Sequence, residues 1–478
     1  MNKLIKNYKY IFISTFILLF LVHFNLLTTN IISGDILLNN FFYKGYSWEV
    51  SLGRFGLWVV GLLKGYLSIP IIDLSISFII ISIITCILID MFEVKNKLNR
   101  ILIILMMVIS PIMSSTLLFH YCSIGYLLAL LSSCLSVYLF YKLDNKLKYI
   151  LPIILIVIAL SMYQAYLSVI TTLFVLYNIK LILNKKYNYK DVLKYLLILF
   201  SGIVIYFILM KLSLKVFHID MSTYSDADKI GINTILSIPS KIINSYKLFI
   251  DYYLFDEIIK NSYFHNYIFN SILFILMFMF IIKDMINNKI KTSNKVLIIV
   301  LLLLLPVFLN SVIFVTYNSK LQLLMAMSYL LIPIFIFSFD TDKIFKYIII
   351  FTSVILLRNY YIQDQCSYLS LNYTFNSYNT IIRDSIKDNY NKKFMFIGSI
   401  NNSDKSIYKM NYGFISDDPI FWEEYNLKKI GFCKYVEYYL GLDVEFVDSD
   451  TYNLLIKDDY SDVINYRDDY VIIDFDNI

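Results

Sequence analysis

The sequence predicts an all-α polytopic membrane protein with a small C-terminal α/β domain outside the bilayer. Three observations carry that prediction. The first is composition: of 478 residues 58% are hydrophobic and only 16% charged, with a mean hydropathy of +0.65, where soluble domains are roughly a quarter charged. The second is that the apolar residues gather in blocks of roughly 17–22, the length that crosses a hydrocarbon core. These blocks are apolar all round, whereas a surface helix of a soluble protein shows one apolar stripe. The third is that basic residues collect in every second connection between blocks.

Taken in order, the chain offers about eleven spans, near 10–32, 69–90, 101–118, 124–141, 149–163, 166–183, 192–212, 264–282, 296–315, 321–338 and 345–360. Lys3, Lys6 and Lys9 precede the first block. That block is too long for a signal-peptide core and no small-residue cleavage site follows, so it reads as a first span with its amino end in the cytoplasm. The connections 93–100, 142–148, 180–194, 283–295 and 340–346 all carry positively charged residues. The short connections 119–123, 163–166 and 316–320 hold one basic residue, Lys320. Lys and Arg accumulate in short cytoplasmic loops, so the pattern predicts an odd number of spans, amino end inside and carboxyl end outside.

Three larger pieces then face outward: 33–68, about 213–262 with an amphipathic stretch near 238–255, and the tail 361–478. The division is a membrane domain, 1–360, and a soluble domain, 361–478. The tail holds 20 acidic and 11 basic residues, a balance of −9 against +6 for the whole chain. Its pattern predicts strands at 393–397, 444–447 and 470–475 and a helix at 427–440.

Several classes are excluded by what is missing. Gly398 stands alone after a strand, with no GxGxxG, and no phosphate-binding loop or nucleic-acid reader occurs. The four histidines and five cysteines show no metal-ligand spacing. No metal, cofactor or nucleic-acid partner is expected. Cys366 and Cys433 share the tail, and a disulfide between them stays open.

The first outer loop carries the most chemistry: Ser33-Gly34-Asp35, then Trp48-Glu49, then Leu52-Gly53-Arg54-Phe55-Gly56. A carboxylate just beyond the first span, with an arginine about twenty residues later, suits sugar transfer from a polyprenyl phosphate. The carboxylate can take the proton of an acceptor hydroxyl, and an arginine can grip phosphate oxygens with a two-pronged fork. Asp35 is the candidate base, Glu49 the reserve and Arg54 the candidate phosphate contact. The competing readings are a helix cap for Asp35, a solvated charge for Glu49 and an interfacial anchor for Arg54. Asp73 lies at the outer end of the second span, where headgroup-level solvation competes with function. His120, Trp48, Tyr163 and Gln164 are candidate sugar or acceptor contacts. For His120 the alternative is a hydrogen-bonded interfacial side chain, and for Tyr163 and Gln164 it is packing between helices.

Gly34-Asp35 through Trp48 to Ser51-Leu52-Gly53-Arg54-Phe55, followed by Leu62-Leu63, resembles the opening of the GtrII-type glucosyltransferase family. Leu160-Ser161-Met162-Tyr163-Gln164-Ala165-Tyr166 is similar to that family's Tyr-Gln signature. Phe119-His120-Tyr121 leading into Tyr126-Leu127-Leu128-Ala129 is a weaker match. The resemblance covers roughly 10–340 and implies a GT-C-like enzyme with its active site on the outer face. It implies a polyprenyl-phosphate glucose donor, a surface polysaccharide or other envelope acceptor, and a cell-membrane location. It also implies that Asp35 sits at the family's acidic position, that Arg54 sits in its Gly-Arg element, and that Lys320 stands where relatives often carry an arginine. Some relatives have two adjacent acids where this chain has Asp35 and Ile36, so a paired-acid metal site is not expected. A transporter or flippase of a lipid-linked glycan and a polysaccharide polymerase are the alternatives. The chain has 13 Gly and 7 Pro, without the paired broken helices of many transporters.

Overall fold

The computed structural model describes residues 2–28, 34–39, 41–224, 237–255, 265–315, 321–339, 342–387, 389–398 and 424–477. The chain divides into two compact units. One is Met1–Phe24 with Phe42–Ile362, and the other is Asn25–Phe41 with Gln363–Ile478.

The first unit is helical. Its elements near the site are α1 (Asn2–Val22), α2 (Ser47–Ser51), α3 (Phe55–Leu63), α4 (Pro70–Met91), α5 (His120–Lys142), α6 (Leu147–Met162), α7 (Leu167–Leu183) and α8 (Tyr189–Phe217). Among the described residues, seven helices are long and apolar enough to cross a membrane: Pro70–Met91, Lys97–Leu118, His120–Lys142, Gln164–Leu183, Tyr189–Phe217, Asn266–Asn287 and Lys343–Ile386. Four apolar helices are shorter: Tyr8–Val22, Leu147–Met162, Thr292–Leu303 and Leu323–Ile336. Each of the eleven expected spans overlaps one of these helices, though 10–32 and 296–315 run well past Val22 and Leu303. The short ones have local causes. The backbone of α1 breaks at Tyr8, with φ −117° and ψ 17°. The helix Thr292–Leu303 ends shortly before Pro306, a residue that cannot continue a helix from within. Leu323–Ile336 begins as a 3₁₀ turn kinked at Ala326.

At the centre stands α5, packed against α3, α4, α6 and α7. Its small residues Ser123, Gly125, Ala129, Ser133 and Ser136 are all buried and let neighbouring backbones approach closely. Gly125 is the tightest point, because a Cβ there would meet Leu57 Cδ2 at 2.3 Å. The Ser136 hydroxyl also bonds Tyr195 Oη across to α8 at 3.1 Å. Along α8 only a stripe is buried, Tyr195, Ile198, Gly202, Tyr206 and Met210, three or four residues apart as one helix face requires. Leu197, Phe200 and Ile208 on its other side are 60–67% exposed, an apolar surface suited to lipid.

The second unit holds a three-stranded sheet of β1 (Lys393–Ile397), β2 (Ile464–Tyr466) and β3 (Tyr470–Asp474) in the order β1-β3-β2. The pair β1–β3 is parallel, with Lys393 opposite Tyr470, and β2–β3 is antiparallel, with Ile464 opposite Ile473. Phe394, Met395, Phe396, Val471, Ile472 and Ile473 are fully buried, so the central strands read as apolar runs without alternation. The expected strand at 444–447 forms only one bridge, Phe394 to Phe446, while β2 was not anticipated. Cys366 and Cys433 are both free, which closes the disulfide question.

The same core takes in Leu37, from the short helix Gly34–Asn39 that packs on Tyr425–Tyr435. Ile36 and Leu37 are 1% and 0% exposed, and Lys434 Nζ donates to the Leu38 carbonyl. The segment after the first span thus folds with the tail, about 390 residues away in sequence.

Candidate functional site

Within the first unit the site is built on a turn. The helix α2 ends at Ser51, and the backbone folds back so that Arg54 N donates to Glu49 O at 2.7 Å and Gly53 N to Val50 O at 2.9 Å. The turn needs a left-handed residue, and Gly53 supplies it with φ +78°. Arg54 then caps the start of α3.

Two side chains hold this turn from other helices. Gln164 Nε2 donates to the Leu52 carbonyl at 2.7 Å and to Tyr206 Oη at 2.8 Å. Tyr206 Oη donates in turn to the Gly53 carbonyl at 3.1 Å. A Cβ on Gly53 would stand 2.8 Å from Tyr206 Oη and 3.1 Å from Gln164 Nε2, so no other residue fits beneath them.

The Arg54 guanidinium lies over the Tyr163 ring, 4.8 Å from its centroid, and Nη1 donates to Tyr126 Oη at 3.4 Å. Tyr126 and Tyr163 stack on each other at 4.4 Å. Arg54 Nε is buried and has no hydrogen-bond partner among the described residues. Leaving a buried donor unmade costs about 1–3 kcal/mol, more on a charged group, and a phosphate or carboxylate oxygen would satisfy it. Glu49 is half-buried and close enough to act electrostatically on Arg54, Tyr43 and Cys122. Trp48 beside it is 51% exposed and meets Tyr224 edge-on at 5.3 Å.

A second polar cluster braces the far end of α3. Lys64 Nζ pairs with Asp73 Oδ1 at 2.8 Å and donates to the Tyr121 carbonyl at 3.1 Å. Ser68 Oγ donates to Asp73 Oδ2 at 3.2 Å and meets His120 Nδ1 at 3.3 Å. Asp73 is 1% exposed and His120 8%. Solvation at headgroup level therefore does not describe Asp73, whose charge is buried against Lys64. His120 is a hydrogen-bonded member of that cluster. Removing one partner of a buried pair leaves an uncompensated charge. Lys64→Met should lower the stability of the detergent-solubilised protein by about 3 kcal/mol, and adding Asp73→Asn should recover part of the loss. A wild-type melting curve for Lys64→Met would show that the pair contributes nothing.

The expected site residues thus fall into groups. Glu49, Arg54, Tyr163 and Gln164 come together, with Trp48 on the same short helix as Glu49. Tyr163 is 2% exposed and occupied by Tyr126 and Arg54, so its ring is no sugar platform. Gln164 spends both N–H groups inside the protein, so it has none left to donate to a sugar. Asp35 belongs to the second unit, in the first turn of Gly34–Asn39, where burial raises its carboxyl above the ordinary value. Lys320 lies outside the described residues. Tyr206, Lys64 and Ser68 escaped the sequence reading, and Tyr126 entered it only within the weaker motif match, with no role assigned. The three- and four-residue steps from Tyr195 through Ile198 and Gly202 to Tyr206 along α8 were the available signal for Tyr206.

The family model of glucosyl transferase GtrII matches residues 24–339, about two thirds of the chain, including the whole of the Arg54 cluster. The chain belongs to the GtrII glucosyltransferase family. It is therefore a glycosyltransferase, and its apolar helices make it a membrane protein. No curated protein and no solved structure matches the chain significantly. In a GtrII-family enzyme the Gly53–Arg54 turn, Gln164 and Tyr206 all lie inside the matched region.

Proposed function

We propose that the protein moves a hexose, glucose first among them, from a polyprenyl-phosphate donor to a cell-surface polysaccharide or other envelope acceptor on the outer face of the membrane. The observation that supports this best is the Arg54 guanidinium, which lies over Tyr163, donates to Tyr126 and has a buried Nε without a partner among the described residues. Such a fork suits a phosphate group. The acceptor hydroxyl oxygen attacks the anomeric carbon, the bond from that carbon to the phosphate oxygen breaks, and polyprenyl phosphate leaves. The hydroxyl proton passes to a carboxylate. Asp35 is the proposed base, supported by the family's acidic position and by a carboxyl that burial makes more basic. Glu49, beside Arg54, is the reserve. Arg54 stabilises the charge that develops on the phosphate, with Lys320 as the second cation. Trp48 offers its exposed face to the sugar or acceptor.

The deciding assay supplies membranes containing the protein with radiolabelled polyprenyl-phosphate glucose and cell-envelope acceptor. Label passing to the acceptor supports the reading, and no transfer with any polyprenyl-phosphate hexose sinks it. The proposal includes eleven crossings of GT-C-like arrangement, with the carboxyl tail as a separate outer domain. Reporter fusions at Asn288 and Asp417 should then report opposite sides. Both reporting the cytoplasm would overturn the topology.

A further inference from the structure

We infer that Tyr206 and Gln164 are positioning residues that set the donor-phosphate contact of Arg54 by clamping the two carbonyls that precede it. The inference rests on the reading of Arg54 as the phosphate contact.

The clamp is closed. Gln164 uses one N–H on Leu52 O and the other on Tyr206 Oη, and the Tyr206 hydroxyl faces Gly53 O at 3.1 Å, a stronger acceptor than the Met210 sulfur at 3.6 Å. One donor of each residue thus reaches a carbonyl just before Arg54, and the second Gln164 N–H ties the two arms together. Tyr206 is 1% exposed and Gln164 8%, so neither presents itself to a substrate directly. The ring of Tyr206 also lies parallel to Phe55, the residue after Arg54, at 6.1 Å and 14°. The turn is thus held on both sides of the arginine, from α8 and from the chain joining α6 to α7.

The physical need is clear from the turn itself. Gly53 has the loosest backbone of any residue type, and nothing intrinsic to it chooses φ +78°. A fork that must meet phosphate oxygens tolerates little angular error, because misplacement of about 1 Å can cost on the order of a hundredfold. The clamp removes that freedom before the donor arrives, so that binding does not have to order the turn. A bond between uncharged groups worth about 1 kcal/mol corresponds to roughly a fivefold to tenfold change.

The test is a double-mutant cycle on the full-length protein in detergent. Tyr206→Phe keeps the ring and the Phe55 contact and deletes the hydroxyl. Gln164→Leu removes both amide donors from the other arm. Affinity for polyprenyl phosphate and donor KM are measured beside acceptor KM, with thermal melting as the folding control. Each variant should weaken polyprenyl phosphate binding and raise donor KM about fivefold to tenfold, leaving acceptor KM unchanged. In the Arg54→Ala background the same changes should add less than about twofold, since a clamp acting through Arg54 has nothing left to position. Equal losses in both backgrounds, or an equal shift in acceptor KM, would overturn the clamp alone. Wild-type donor affinity in Arg54→Ala would instead sink the phosphate reading, and the clamp with it. Should Tyr206→Phe fail the melting control, Gln164→Leu decides by the same criteria.

Discussion

Replacing Asp35 by Asn should lower sugar transfer by about a hundred- to ten-thousand-fold, the usual contribution of a positioned base. Asn keeps the shape and loses the basicity, so donor binding should change little. The pH profile adds a second reading. Burial raises the Asp35 carboxyl above its ordinary value, so the group sheds its proton at higher pH than a solvated aspartate does. A base works only when deprotonated. Wild-type transfer should therefore climb with pH along a limb that lies higher than a solvated aspartate would set, and that limb should vanish in Asp35→Asn. Stability runs the opposite way. An acid whose folded-state pKa is raised disfavours the folded state once ionised, so that cost is present above the folded pKa and fades on acidification through it. Asp35→Asn should then unfold no earlier than the wild type at neutral pH. Glu49→Gln is measured in parallel. Near-normal turnover in Asp35→Asn beside a dead Glu49→Gln would hand the role to Glu49, and normal turnover in both would remove the carboxylates of the first outer loop from the chemistry.

Arg54→Ala should cost about a hundred- to a thousandfold in turnover, the scale seen when one preorganised charge-stabilising donor is lost. The structure explains why lysine should rescue only partly. Lysine keeps the charge but lacks the flat fork, and it cannot lie over Tyr163 while reaching Tyr126 Oη as the guanidinium does. Arg54→Lys should fall between wild type and alanine, with the larger part of its loss in donor KM. Tyr163→Leu, which removes the platform, should push Arg54 toward the lysine value. Unchanged polyprenyl-phosphate affinity in Arg54→Ala would take Arg54 out of the phosphate role.

The apolar character of a stretch is a local quantity, and the chain alone was enough to locate the apolar helices, though not all of their lengths. All eleven apolar blocks overlap apolar helices, because a run of about twenty nonpolar residues has few alternatives in lipid. Gly53 and Arg54 were also legible, since a Gly-Arg pair in a connection between apolar blocks needs no partner to be noticed. The tail was half legible. The apolar runs at 393–397 and 470–474 announced the buried strands β1 and β3, whereas Ile464–Tyr466, with one polar and one aromatic neighbour, carries no such run and exists because β3 offers it an edge.

What the tertiary structure alone decided is which polar groups meet. Gln164 looked like a sugar ligand until Leu52 and Tyr206 were seen to take both its N–H groups. Asp73 looked solvated until Lys64 appeared 2.8 Å away. Leu37 joins a core made by residues near 396, 432 and 472, and nothing in a six-residue helix foretells that. Apolar burial is set by the character of a stretch and can be read from it. A hydrogen bond is set by two or three atoms within about 3 Å, often from distant parts of the chain, and only the folded arrangement brings them together.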